Sequence, residues 1–317
     1  MAVRCIAQVC EAYKRDKTIK PEFRKYAAMP FDQRMMSFKG VDRVSLLTLQ
    51  GRVIVPFVMG AYQRERFMLS KGQADLVLRK DGKWFLLITV DMPESAPIQT
   101  TDFLGVDLGT VQLATDSDGQ HFDGAETEAS RLHYLKKKRQ LQRKAAQQVK
   151  AGHRPKNVRR KLKALSGRER RFKRNTNHVI SRRIVDKATG TNRGIALEDL
   201  SGIRDWTRLR RSQRDCISKW AFAELRGFIQ YKATIKGIPV IAVDPAYTSQ
   251  ACNACGHTER GNRRERGIFW CTACGYFDHA DINAAKNISM KAVVNQPDVA
   301  ESKTHLVLQV QRQAASL

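Results

Sequence analysis

The chain has 317 residues, with 57 Lys and Arg against 31 Asp and Glu and a formal net charge of +26. That length is enough for two or three domains, and so positive a field calls for a polyanion, because neutralised phosphates release condensed counterions. No stretch has the apolar length of a membrane span and the N-terminus lacks the apolar core of a signal peptide. These absences argue against membrane-bound or secreted classes and set the expectation of a soluble, cytoplasmic protein.

Residues 1–40 are expected to form a short helical N-terminal segment, with Val3, Ile6, Val9 and Cys10 near helical spacing. From residue 41 the pattern turns to β-branched runs, Val44–Leu49, Val53–Val58, Ala74–Leu78 and Trp84–Val90, with Asp81-Gly82 as a hairpin turn. Pro93 and Pro97 mark a linker, so 41–101 is a β-rich module with its connection. A second unit, 102–246, opens with three short strands around Phe103–Asp107, Val111–Thr115 and His121–Phe122. Two long helices over 129–187 follow, Ala129–Val149 and Val158–Asp186, separated at Gly152 and Pro155. A buried strand Gly194–Leu200, an amphipathic helix Ile217–Lys236, a strand Pro239–Val243 and, at 279–295, a final helix complete the order. Three strands, a helical excursion, a strand, a helix and a strand is the order of an RNase H-like mixed α/β sheet. Residues 296–317 show no pattern and are expected to be disordered.

Three acids stand in apolar frames at element ends. Asp107 lies in Leu104-Gly-Val-Asp-Leu-Gly-Thr110, Glu198 in Ile195-Ala-Leu-Glu-Asp-Leu200, and Asp281 in His279-Ala-Asp-Ile-Asn-Ala-Ala-Lys-Asn287. A charged carboxylate at the end of a hydrophobic strand is costly unless a cation or hydrogen bonds compensate. Taken singly, Asp281 is a dipole-favoured first-turn acid and Glu198-Asp199 an ordinary step from strand to loop. Together and in this order they predict a site for two Mg²⁺ ions, or Mn²⁺, that could align a water against a phosphodiester.

Of the seven cysteines, Cys252, Cys255, Cys271 and Cys274 form two CxxC pairs with fifteen residues between them. This is the spacing of a four-thiolate structural zinc ribbon over 247–278, holding one Zn²⁺. Redox-active pairs are the alternative. Arg260, Arg263, Arg264 and Arg266 on the intervening loop are either phosphate contacts or a solvated basic hairpin.

Between Arg131 and Arg183 there are 21 Lys or Arg and one acid, Glu169. Lys136, Lys137, Lys138, Arg139, Arg143, Arg159, Arg160, Arg170 and Arg171 are the candidate nucleic-acid contacts. The charge alone does not separate DNA from RNA.

The succession Gly-Val-Asp-Leu-Gly-Thr, Ala-Leu-Glu-Asp-Leu, Asp244-Pro-Ala-Tyr-Thr-Ser-Gln, the ribbon and Ala-Asp-Ile-Asn-Ala-Ala-Lys-Asn-Ile resembles the TnpB (OrfB) family over residues 40–295. These are transposon-encoded RNA-guided endonucleases related to type V CRISPR effectors. The resemblance implies a guide RNA derived from the transposon end, a target DNA, and a single RuvC site made of Asp107, Glu198 and Asp281. It makes the four cysteines the zinc ligands and gives Asn283 the task of orienting a metal ligand or water. It likens 41–91 to the later part of a wedge domain and residues 1–40 to a remnant of a recognition domain. The family's first wedge strand and most recognition helices have no counterpart here. The expectation is therefore a metal-dependent, RNA-guided DNA endonuclease. The alternatives are a guided DNA-binding protein without cleavage, acting as a repressor or remnant, and a zinc-containing transposase. The last is disfavoured by the order Asp, Glu, Asp.

Overall fold

The computed structural model describes residues 2–79, 82–109, 111–199, 222–265 and 267–294. They divide into two compact units, one of residues up to Pro93 together with Lys144–Ser166, the other of the remaining residues. No helix among them is long and apolar enough to cross a membrane.

The first unit opens with a helix, α1 (Ala2–Arg15), but the chain then leaves the helical path. Strands β1 (Met29–Phe31) and β2 (Met36–Lys39) already belong to the β module. The expected helical segment over 1–40 is thus confined to its first third. The reason is packing: Phe31, Met35 and Met36 are buried in one cluster with Val44, Leu46 and Ala74, an apolar gain that outweighs weak local helix propensity. Strands β3 (Arg43–Thr48) and β4 (Gly51–Pro56) extend β2 into one antiparallel sheet. After a short helix α2 (Ala61–Arg66), strands β5 (Ser70–Leu78) and β6 (Trp84–Val90) join β1 in a second. Asp81 of the expected hairpin turn lies outside the described residues, whereas Gly82 has φ +83°, as such a turn requires.

The second unit is a five-stranded mixed sheet. Its strands are β7 (Phe103–Asp107), β8 (Gln112–Asp116), β9 (His121–Asp123), β10 (Gly194–Glu198) and β11 (Val240–Val243), in the order β11-β10-β7-β8-β9. β10 runs parallel to both β7 and β11, whereas β8 is antiparallel to β7 and β9.

The expected pair of basic helices is three: α3 (Ala125–Lys150), α4 (Lys156–Leu165) and α5 (Arg168–Gly190). The extra break falls at Ser166 and at Gly167, whose φ of +81° ends a right-handed helix. The helix expected over 217–236 is described as α6 (Phe222–Ile235); its first five expected residues, Trp220 among them, lie outside the described residues, as do 296–317. Strands β12 (Ile268–Trp270) and β13 (Phe277–His279) form a hairpin, and helix α7 (Ala280–Val294) follows directly.

The sheet is covered on both faces. Leu104, Val106, Ile195 and Leu197 pack on Ile180, Ile184, Leu225 and Ile229 of α5 and α6. The alternate positions Phe103 and Ala196, with Val243, meet Ile288 and Ala292 of α7. Burial on both faces explains why β7 and β10 read as continuous apolar runs. Asp116, fully buried, is consumed structurally: its carboxylate accepts from the Asp118 and Gln120 amides and from Lys187 Nζ at 2.6 Å.

Helix α7 lies so close to β7 that a Cβ on Gly105 would sit 2.0 Å from Ala285 O and 2.6 Å from Ser289 N. Ser289 Oγ also donates to Phe103 O at 2.6 Å. Neither partner is a flexible side-chain end, so the helix itself would have to move. A Gly105→Ala variant is expected to lose about 3 kcal/mol of stability, read as a lower urea midpoint at unchanged m value.

Candidate active site and cysteine cluster

Asp107 is the last residue of β7 and Glu198 the last of β10. These strands are parallel neighbours, and the register that pairs Val106 with Leu197 sets the two acids side by side at the carboxyl ends. Crevices outside such ends are where open α/β sheets place their chemistry. Asp281 reaches the same end from the first turn of α7. Burial first, then the charges of Glu198 and Asp281, push the Asp107 carboxyl up to about 7, with Arg263 opposing. Burial also raises Glu198, against the Thr248 hydroxyl and Lys291, which lower it. A buried acid whose ionisation two neighbouring acids oppose marks a site short of positive charge. Part of that charge comes from Arg263, whose Nη2 lies 3.2 Å from Asp281 Oδ1. Arg263 thus serves an acid directly; Arg264 instead lies over the Trp270 ring at 5.4 Å, and Arg266 is outside the described residues.

Among the described residues, the four cysteines are the one group of three or more metal-ligating side chains whose ligand atoms gather within 4.8 Å. The three carboxylates are not drawn that close. Cys252 Sγ and Cys274 Sγ are 3.7 Å apart, Cys255 Sγ and Cys271 Sγ 3.6 Å, and none is in a disulfide. Sulfurs at ~2.3 Å from a tetrahedral zinc would stand about 3.8 Å from each other. The cluster therefore fits the ion without rearrangement. The two knuckles repeat each other: Gly256 N–H donates to Cys252 O and Gly275 N–H to Cys271 O, at 2.9 and 3.0 Å. Both glycines have φ near +75°, which puts the turn beyond a side chain's reach.

Asn283 is fully buried, and both ends of its amide bond the ribbon backbone. Nδ2 donates to Ala251 O at 2.8 Å and Oδ1 accepts from Asn253 N–H at 3.0 Å. It clamps the ribbon to α7. Residue pattern alone did not single out Thr248, whose hydroxyl donates to Glu198 Oε1, or Asn287, one helical turn beyond Asn283. The signals were present: two Asn at i and i+4 on one helix, and a Thr within Asp-Pro-Ala-Tyr-Thr-Ser-Gln.

The nine candidate nucleic-acid residues are all exposed: Lys136, Lys137, Lys138, Arg139 and Arg143 on α3, Arg159 and Arg160 on α4, Arg170 and Arg171 on α5. A groove along α3 is lined by Leu132, Leu135, Lys136, Arg139, Gln140 and Arg143, an apolar floor under a cationic rim.

Two sequence families match the chain. One, described as a probable transposase of the OrfB_IS605 type, covers residues 87–201, and the other, the Cas12f1-like TNB domain, covers 222–288. A CRISPR-associated endodeoxyribonuclease Cas12f1 of Sulfoacidibacillus thermotolerans is 34% identical over 82% of this chain and 61% of its own length. The putative RNA-guided DNA endonuclease InsQ of Escherichia coli K12 is 29% identical over 86% of this chain and 71% of its own. The chain thus spans less than two thirds of the Cas12f1 protein. In fold it is similar to CasPhi-2 (Cas12j), solved by cryo-electron microscopy bound to crRNA and phosphorothioate-DNA, with a TM-score of 0.52 and 15% identity over 81% of this chain and 59% of that one.

Proposed function

We infer the function from the premise that the chain belongs to the TnpB (OrfB) family of transposon-encoded RNA-guided endonucleases, relatives of the Cas12f effectors. It is an RNA-guided, metal-dependent DNA endonuclease with a RuvC-type site, acting with a guide RNA from the transposon end on a complementary target DNA. The observation that carries this reading is the position of Asp107, Glu198 and Asp281 at one end of the sheet, two on adjacent parallel strands and one on the helix behind them.

The strand order β11-β10-β7-β8-β9, with only β8 antiparallel to its neighbours, supports an RNase H-like nuclease domain of 102–246 and 279–295. The ribbon, 247–278, interrupts it. The β sheets of the first unit support a wedge-type module, and its buried Phe31, Met35 and Met36 extend that module upstream of residue 41.

Asp107, Glu198 and Asp281 would hold the Mg²⁺ ions. When bound, these cations would align a water in line with the scissile phosphodiester and stabilise the leaving oxygen. The chain's own residues do the rest. The strand ends fix Asp107 and Glu198, the Thr248 hydroxyl donates to Glu198, and Lys291, donating to Asp244 O at 3.0 Å and Ala246 O at 2.5 Å, holds the loop beside it. The exposed Lys and Arg of α3, α4 and α5 would neutralise phosphates of guide and target, giving a steep salt dependence.

The test is to express the chain with its native flanking DNA, sequence the RNA that co-purifies, and assay the complex on a plasmid library matching that RNA. A discrete RNA with Mg²⁺-dependent cutting at matched sites is the expected result. A discrete RNA without cutting would make the chain a guided binder, and absence of any specific RNA would overturn the guided reading.

A further inference from the structure

Thr248 is 2% exposed, so its hydroxyl reaches neither solvent nor substrate. It faces two acceptors, Glu198 Oε1 and Pro245 O, the latter at 3.0 Å. A hydroxyl has one proton, and the charge-assisted contact to the carboxylate takes it. The residue before it, Tyr247, has φ +63°, a left-handed conformation that is strained for a bulky side chain. Tyr247 is 65% exposed, so packing of its ring does not repay the strain. What the turn achieves is the presentation of Thr248.

The turn is also held from the ribbon side. Asn287 Nδ2 donates to Thr248 O at 2.9 Å and to Ala251 O at 2.7 Å. Asn283 donates to the same Ala251 O at 2.8 Å. Ala251 directly precedes Cys252, whose N–H closes the first knuckle on His257 O at 2.9 Å. These hydrogen bonds, together with the short backbone from Thr248 to Cys252, therefore link the first cysteine knuckle to one oxygen of Glu198.

We propose that Thr248 is the positioning residue that orients Glu198 for cation binding, and that the folded cysteine ribbon sets its place, linking the thiolate cluster to the cation affinity of the acids. This rests on the reading of the three acids as a cation site. An outer-shell hydrogen bond to a ligating carboxylate typically changes metal affinity by about 10- to 100-fold.

The experiment is a calorimetric Mn²⁺ titration of the full chain carrying its zinc, in four forms: wild type, Thr248→Val, Thr248→Ser and Glu198→Ala. Thr248→Val keeps the shape and removes the donor; it is expected to weaken Mn²⁺ binding about tenfold with one zinc retained, and Thr248→Ser to restore it. Wild-type affinity in zinc-loaded Thr248→Val overturns the positioning role. So does a loss that Thr248→Ser fails to rescue, because the hydroxyl would then not be the active element. Wild-type affinity in Glu198→Ala overturns the underlying cation-site reading instead. If Thr248→Val does not fold, Thr248→Ala is measured against Thr248→Ser under the same criteria.

Discussion

Replacing Asp107 with asparagine is expected to lower guided cleavage by more than about a thousandfold while leaving nucleic-acid binding near wild type. A bound cation supplies several kcal/mol of transition-state stabilisation, and each ~1.4 kcal/mol is tenfold in rate. The same substitution is expected to raise stability in the absence of divalent cations. Its sign follows from the Asp107 carboxyl, which burial and its two acidic neighbours hold at about 7 in the folded chain, against an ordinary value of 3.8. The folded state keeps the proton that the unfolded state releases, so stability falls as pH rises from about 4 to about 7 and is level above that. Asparagine carries no such penalty. Its melting point should exceed wild type by a few degrees at pH 8 and by less at pH 5, and Mg²⁺ should raise wild type alone. Undiminished cutting by Asp107→Asn would remove this acid from the mechanism.

The second large effect concerns zinc. Purified chain is expected to hold one zinc, and Cys271→Ser to lose it together with the structure of 247–278, because a closed four-thiolate site contributes its binding free energy directly to folding. Elemental analysis reads the first outcome. Limited proteolysis reads the second, as new cleavage confined to the ribbon while the five-stranded sheet resists. Asn283 and Asn287 bond the ribbon-side backbone and Thr248 bonds Glu198, so cleavage should fall at least about tenfold when the zinc is lost. A zinc-free chain that cuts at the wild-type rate would show the ribbon to be independent of the site.

Much of the sheet, with an acid ending two of its strands, could be read from the residues because the signals are local. Leu104-Gly-Val-Asp and Ile195-Ala-Leu-Glu are apolar on both faces up to the acid, which only a buried strand explains, and the cysteine spacing speaks for itself. What escaped the sequence reading depends on contacts distant in the chain. Residues 29–39 look neutral in propensity and become strands because Phe31 and Met36 find Val44 and Ala74. The break at Gly167 interrupts a helical pattern that a lone glycine often tolerates. Thr248 resembles any loop threonine until Glu198, fifty residues earlier, arrives beside it. Asn283 sits in a motif with Asp281, but a helix turns about 100° per residue, so a residue two positions on faces elsewhere.

Strand β13 ends at His279 and α7 begins at Ala280, and Ala280 N–H donates to Gly267 O at 3.0 Å. Hairpin and helix are thus joined like a key to its shaft. One residue added at that joint would swing Asp281 by about a quarter-turn out of phase with Asp107. Over evolutionary time the joint can change its letters only one for one.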